Sequence, residues 1–70
     1  MPIFPLIEEV YTNQMHIRVA SEIFMDNSIK TRCGKYLKVG EYRTSTDVYG
    51  IKGLREVENI CLGCGKPWLE

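Results

Sequence analysis

Three cysteines and one histidine are the side chains of this chain whose types and spacing point most directly to chemistry. They occur as His16-x16-Cys33-x27-Cys61-x2-Cys64, and the sequence contains no other cysteine or histidine. Zinc binds four nitrogen or sulfur ligands at about 2.0 to 2.3 Å, and a Cys-x2-Cys pair puts two thiolates on one tight turn. The spacing therefore predicts a single structural zinc site with all four side chains as ligands.

The fourth ligand has alternatives. If His16 does not bind the metal, Glu58, Asp47 or a water molecule must complete the set. A water ligand would leave the open position that is typical of catalytic zinc.

Catalysis without a metal is not indicated by the sequence. Cys61 and Cys64 have the spacing of a dithiol oxidoreductase, but that motif places its first cysteine at the start of a helix. Six residues follow Cys64, with Pro67 among them, so we expect no such helix.

A hydrolase is not supported either, because the chain has no second histidine, and its glutamate pairs, residues 8–9 and 56 and 58, have the pattern of solvated surface. We expect a protein that is not an enzyme.

The length of the chain also favours a metal. Seventy residues make one domain near the size at which burial alone outweighs chain entropy. Structural zinc binds with roughly 10 to 16 kcal/mol, comparable with the net stability of an ordinary domain. We therefore expect one zinc-binding domain over residues 1–70. The odd cysteine count argues against a disulfide framework, and neither a signal peptide nor a membrane span is apparent. These features lead us to expect a reducing cytoplasm.

The elements that must position the ligands are short and mostly extended. Residues 15–20 alternate apolar and polar side chains, residues 26–28 have turn chemistry, and residues 29–32 return, which predicts a hairpin. Such a hairpin brings His16 and Cys33 within reach of one ion. Gly34 and Gly63 lie next to cysteines, where we expect backbone N–H groups to point at sulfur. Residues 57–60 are predicted to be a short strand leading to Cys61.

The two ends of the chain are apolar. Pro2 and Pro5 exclude a helix over residues 1–6, so we expect an extended arm that packs on the body or, alternatively, binds a partner. Trp68 is expected to pack over the arm or the zinc turn, and exposed it would suit a partner or dimer face. The predicted fold is a small β-rich or α+β zinc-stabilised domain of the zinc ribbon or knuckle type, a monomer or a homodimer.

Charge is unevenly placed, although the formal net charge is zero. Between residues 30 and 43 five cations accompany one carboxylate, whereas both flanking segments are acidic overall. Cations interleaved with tyrosines suit an acidic protein face or a nucleic acid. We expect a protein partner, with nucleic acid as the alternative. The candidate partner-binding residues are Lys30, Arg32, Lys35, Tyr36, Lys38, Tyr42 and Arg43.

The order of these motifs resembles that of very small zinc-finger-like proteins from bacteria and their phages. The matching parts are His16, the run Thr31-Arg32-Cys33-Gly34, and residues 57–64 with their Val-x3-Cys-x2-Cys pattern. The chain ends six residues after Cys64, where those proteins often continue into a helix. The resemblance implies a zinc-stabilised small domain that contacts a protein or a nucleic acid. From the residues themselves we expect an interaction or regulatory module.

Overall fold

The computed structural model describes residues 2–19, 21 and 24–69. Short strands and two short helices form a β-rich α+β domain. In chain order the elements are β1 (Ile3–Phe4), β2 (Leu6–Glu9), β3 (Met15–Ile17), β4 (Ile29–Lys30), β5 (Tyr36–Leu37), β6 (Tyr42–Thr44), β7 (Val48–Tyr49), α1 (Gly50–Arg55) and α2 (Leu62–Leu69).

The central sheet is antiparallel with the order β3-β2-β6. Ile7 of β2 stands opposite His16 of β3 and Thr44 of β6, while Leu6 stands opposite Ile17. Directly opposed residues of an antiparallel pair share one face, and successive residues alternate between faces. Ile7, His16 and Thr44 therefore lie on one face of the sheet, and Leu6 and Ile17 on the other.

The face that carries Leu6 and Ile17 builds the larger core, together with the helices. Phe4, Leu54 and Cys64 complete its buried cluster. Trp68 packs edge-on against Phe4, with ring centroids 5.0 Å apart. The predicted packing of Trp68 against the N-terminal segment is therefore confirmed.

The segment predicted to be an arm contributes strands. β1 pairs antiparallel with β7, with Ile3 opposite Tyr49 and Phe4 opposite Val48. The Gly50 N–H donates to the Pro2 carbonyl at 2.7 Å, and the Arg18 N–H donates to the Pro5 carbonyl at 2.8 Å. The two prolines thus act as acceptors at the edges of the pairing, where their missing N–H groups cost nothing.

The opposite face of the central sheet is covered by the β4–β5 hairpin. Its core consists of Ile7, Ile29, Leu37 and the partly buried Tyr42. The predicted hairpin before Cys33 is correct in part: Asn27 turns with φ of +63°, and Arg18 bridges Thr31 in the antiparallel sense. However, the ladder of β4 is formed with β5 and not with β3. The predictions for Ala20 and residues 22–23 lie outside the described residues.

The C-terminal region departs furthest from the sequence-based expectation. The prediction of no helix after Cys61 was wrong, because α2 begins at Leu62 and contains Pro67. Cys61 therefore does lie at the start of a helix, and the argument against a dithiol oxidoreductase that rested on a missing helix does not hold. Proline removes one hydrogen bond of the helix, so the packing of Trp68 and Leu69 on the core must support it. The predicted strand over 57–60 is reduced to one parallel bridge between Ile60 and Met15. Among the described residues, no helix is long and apolar enough to cross a membrane.

Candidate metal centre

Three separate parts of the chain supply the four candidate ligands. His16 lies on the edge strand β3, Cys33 lies in the turn between β4 and β5, Cys61 immediately precedes α2, and Cys64 lies in its first turn. One ligand atom from each of the four side chains lies within 4.8 Å of all the others. The structure thus brings together the four residues that the spacing selected, close enough to bind one metal ion. Glu58 and Asp47, the alternative fourth ligands, are not part of this group.

The orientation of His16 is defined by contacts at both ring nitrogens. Its Nδ1 lies 3.6 Å from the Cys64 sulfur and 3.8 Å from the Cys33 sulfur, so this nitrogen faces the thiols. Its Nε2 lies 2.9 Å from a carboxylate oxygen of Glu9. With Nδ1 as the ligand, Nε2–H donates to Glu9, which fixes the tautomer and the ring plane as outer carboxylates do in many zinc sites.

Glu9 is a functional residue that sequence reasoning missed, since residues 8–9 were assigned to solvated surface. It is only 4% exposed, and Lys35 donates to both of its oxygens at 2.7 Å. The Lys35 hydrogen bond lowers the pKa of Glu9, burial opposes this, and the His16 hydrogen bond adds to the lowering. Glu9 therefore stays ionised beside His16. No local sequence pattern marks Glu9, because its burial depends on the register of β2 against β3 and on the contact with Lys35.

Cys33 is the exposed ligand. The Thr31 hydroxyl lies 2.9 Å from its sulfur and accepts the Lys35 N–H at 3.1 Å. Burial raises the pKa of Cys33, but hydrogen bonds with Thr31 and then Cys64 outweigh it and lower the pKa to about 7. The Gly34 N–H itself donates to the Thr31 carbonyl and not to sulfur. The expected backbone contact comes from Lys35, whose N–H also lowers the pKa of Cys33, so a backbone N–H and the Thr31 hydroxyl act on the same sulfur.

Cys64 is buried, and its environment differs from that of Cys33. Burial raises the pKa of the Cys64 thiol to about 11. A thiol that binds a metal must lose its proton, and a nearby divalent cation supplies the charge that makes a buried thiolate favourable. The contrast between Cys33 and Cys64 is that of one ligand at the surface and one in the core.

The glycine between the last two cysteines allows the turn to approach Cys33. A Cβ atom added to Gly63 would lie 2.8 Å from the Cβ of Cys33, closer than real contacts allow. The turn itself is closed by N–H groups of Cys64 and Gly65, which donate to the Cys61 carbonyl at 3.1 and 2.9 Å. Absence of a side chain at position 63 is thus a requirement of the metal cluster.

The candidate partner-binding residues do not form one uniform surface. Lys35 is engaged by Glu9, and the Arg32 guanidinium lies 5.6 Å from the centre of the Trp68 ring. Tyr42 is half-buried and donates to the Asn27 carbonyl at 2.9 Å. The remaining four are Lys30, Tyr36, Lys38 and Arg43, of which Lys30 is half-exposed and the others are exposed.

The four ligands form a complete N/S set of the kind that zinc prefers. The arrangement can fix one metal ion, with three thiolates and one imidazole that is oriented by a carboxylate. The chain matches no family model, and no curated protein or solved structure matches it significantly. The resemblance to small bacterial and phage zinc-finger-like proteins therefore stays a prediction that rests on residues 16, 31–34 and 57–64.

Proposed function

We propose that this chain is a small non-enzymatic interaction module stabilised by one structural zinc ion, with a fold of the zinc ribbon or knuckle type. The observation that carries the proposal is the convergence of four ligand atoms within 4.8 Å from three separate parts of the chain. A structural site is one in which the protein supplies every ligand, whereas a catalytic site leaves a position for water or substrate. Three sulfurs and one nitrogen occupy all four positions of a tetrahedral zinc ion.

The surroundings of the cluster support zinc in a structural role. His16 and Cys64 are buried, which leaves little access for a substrate from their side. The carboxylate of Glu9 serves His16 as an outer hydrogen-bond partner and is itself neutralised by Lys35. Soft thiolates also suit copper(I) and iron–sulfur clusters, so the identity of the metal is a measurable part of the proposal.

Metal analysis tests the zinc proposal. Protein purified without added metal should contain one zinc per chain by native mass spectrometry, and its three thiols should resist alkylation until a chelator is added.

The ligand variants form a second test: Cys33→Ser, Cys61→Ser and Cys64→Ser should lose the metal and fold poorly. His16→Ala should keep it with weaker affinity, because water replaces a neutral imidazole more readily than a thiolate. Freely alkylated thiols in the native protein, or a different metal, would contradict the proposal.

We expect an acidic protein face as the partner, bound by the exposed part of the basic segment. Lys30, Lys38 and Arg43 have no carboxylate within salt-bridge distance among the described residues, unlike Lys35. Lys30→Glu with Lys38→Glu should abolish capture of the partner from a nuclease-treated lysate and leave the melting temperature nearly unchanged. Loss of binding after nuclease treatment alone would identify nucleic acid as the target.

Nucleic acid is the second candidate, and one contact favours it. The Lys30 ammonium lies 5.6 Å from the centre of the Tyr36 ring, which is 58% exposed. Phe24 contacts the same ring edge-on, with centroids 5.5 Å apart. An exposed ring beside a cation is the unit that stacks a base and pairs with its phosphate. Steep loss of affinity with rising salt would distinguish this target from a protein.

A further inference from the structure

A cleft on the face of the central sheet that carries Ile7 and Thr44 has the chemistry of a nucleotide site. It encloses about 200 Å³ between the central sheet and the segment that leads into β4. Its lining residues are Ile7, Arg18, Phe24, Asn27, Ser28, Ile29, Tyr42 and Thr44. Pockets for drug-sized ligands usually measure roughly 300 to 1,000 Å³, so this cleft fits a single ring system.

Arg18 supplies the cationic part of the cleft. Its Nε is buried and has no hydrogen-bond partner among the described residues. Buried donors without partners are rare in folded proteins, and an unpaired one points to an acceptor outside the described residues. The guanidinium is planar with several donors, and it binds phosphate or carboxylate through two parallel hydrogen bonds.

The walls offer ring and apolar surface. Ile7 and Ile29 are buried and form the floor, while Phe24 and Tyr42 are half-buried and contribute aromatic surface. Bases stack on such rings with little dependence on sequence. A flat, partly apolar group therefore fits here better than a compact inorganic ion.

Two polar side chains remain to contact the edge of a bound ring. The Tyr42 and Ser28 hydroxyls are engaged, by the Asn27 carbonyl and the Asp26 carboxylate. The amide of Asn27 and the hydroxyl of Thr44 have no hydrogen-bond partner of their own among the described side chains, and both line the cleft. Amide and hydroxyl groups are the usual partners of base edges.

The charge around the cleft is favourable for an anion. Lys30 directly follows the lining residue Ile29. Two hydrogen bonds from Ser28 lower the pKa of Asp26, desolvation opposes them, and the charge of Lys38 adds a smaller lowering, which places Lys38 near Asp26. Two carboxylates oppose these cations: Asp26, whose Oδ1 accepts the hydroxyl and the N–H of Ser28, and Glu41, whose Oε1 accepts the Lys38 N–H at 2.8 Å. The three cations Arg18, Lys30 and Lys38 exceed these carboxylates by one.

We propose that this cleft binds one nucleotide unit, with the base between Phe24 and Tyr42 and the phosphate on Arg18. The unit belongs either to a free nucleotide or to a single strand. The proposal deepens the second candidate for the protein's function, nucleic-acid binding. It is independent of an acidic protein partner, but it needs the metal-bound fold, because Arg18 directly follows β3, the strand that carries His16.

NMR titration of the zinc-loaded, isotope-labelled protein tests the proposal. The probes are the four ribonucleoside 5′-monophosphates and single-stranded octamers of uridine and of deoxythymidine. We expect the Arg18 Nε–Hε signal to shift together with the backbone amides of Asn27 and Thr44. Octamers that bind much more tightly than monophosphates would identify a strand as the source, and equal affinities would identify a free nucleotide.

Arg18→Gln and Arg43→Gln are matched variants, since both remove one arginine charge. Arg43 stands opposite Glu8 on the other face of the central sheet. Arg18→Gln should weaken binding about tenfold or more, because it removes charge-assisted hydrogen bonds, and Arg43→Gln should weaken it far less. Zinc content is measured on both variants first, so that loss of the metal is not mistaken for loss of the ligand.

Three results would overturn the proposal while leaving the zinc site intact. The first is an unmoved Arg18 Nε signal with every nucleotide probe in a protein of full zinc content. The second is a response confined to Lys30, Lys38 and Tyr36, which would place the phosphates on the outer surface. The third is a cleft that responds to an acidic peptide but to none of the nucleotides.

Discussion

At the residue scale, a series of polar side-chain contacts leads from the surface to the metal position. Lys35 binds Glu9, Glu9 binds His16, and His16 faces the sulfurs. A divalent zinc ion with three thiolates carries one net negative charge. A buried carboxylate beside it adds a second negative charge, which is unfavourable unless a cation is close by. Lys35 neutralises Glu9 and thereby allows it to orient the imidazole.

Replacement of Glu9 should weaken metal binding without removing a ligand. Glu9→Gln keeps the size of the side chain but loses the charge that fixes the His16 ring, and such outer contacts are worth about 10- to 100-fold in metal affinity. Zinc affinity is measured by competition with a chromogenic chelator. Glu8→Gln is the control, because Glu8 points to the other face of the sheet. Equal affinity of the two variants would show that the carboxylate does not position the ligand.

A methyl group at position 63 should disturb the cluster directly. Its Cβ would meet the Cβ of Cys33 at 2.8 Å, so Gly63→Ala should lower the free energy of unfolding by about 1 to 3 kcal/mol through overpacking. Gly53→Ala is the matched control: its Cβ would lie an ordinary 3.7 Å from Val48, and alanine favours a helix interior by roughly 0.5 to 1 kcal/mol. Opposite shifts in melting temperature are expected, and a stabilised Gly63→Ala would contradict the geometry.

At the element scale, neither helix is long enough to be stable alone. α1 has six residues and α2 has eight, whereas isolated helices shorter than about 12 to 15 residues are marginal in water. α1 depends on Leu54, which is fully buried in the larger core, and α2 depends on Cys64 and on Trp68 against Phe4. Tertiary contacts and the cluster therefore hold both helices in place.

Truncation of Leu54 tests how far α1 contributes to the core. Leu54→Ala should lower the free energy of unfolding by about 2 to 5 kcal/mol, because it leaves a cavity among Phe4, Leu6 and Ile17. Ile51→Ala on the same helix should cost much less, since Ile51 is 39% exposed. Urea denaturation of the metal-loaded proteins measures both. Similar losses for the two variants would mean that α1 contributes mainly through its backbone.

The sequence was sufficient for the ligands and insufficient for what surrounds them. Soft ligands are scarce in the chain, so their spacing alone selected His16 and the cysteines. The helix through Pro67 was missed because the rule against proline in helices describes local preference, which packing at Trp68 overrides here. Glu9 was missed because its burial depends on the register between β2 and β3 and on Lys35, which lies 26 residues away. Such contacts are set by tertiary structure and leave no local pattern.

At the scale of the whole molecule, the metal position joins the two ends of the chain. Met15 precedes the ligand His16, and its backbone is hydrogen-bonded to the segment that carries Cys61. The Met15 N–H donates to the Asn59 carbonyl at 2.9 Å, and the Cys61 N–H donates to the Met15 carbonyl at 2.7 Å. The ligands close loops between residues 16, 33 and 61, and closing long loops removes conformational entropy from the unfolded chain. A small domain with short strands gains most from this constraint.

Removal of the metal should therefore unfold the domain globally. Amide hydrogen exchange measures this residue by residue, before and after addition of a chelator. We expect protection at Met15, Cys61 and Gly65, which are close to the cluster, to disappear together with protection at Val10, whose N–H donates to the Glu41 carbonyl on the β6 side of the sheet. The reason is quantitative: structural zinc binds with roughly 10 to 16 kcal/mol, as much as the whole stability of a typical domain. If Val10 stayed protected while the amides near the cysteines exchanged, the ion would only fasten the C-terminal helix to a sheet that is stable without it.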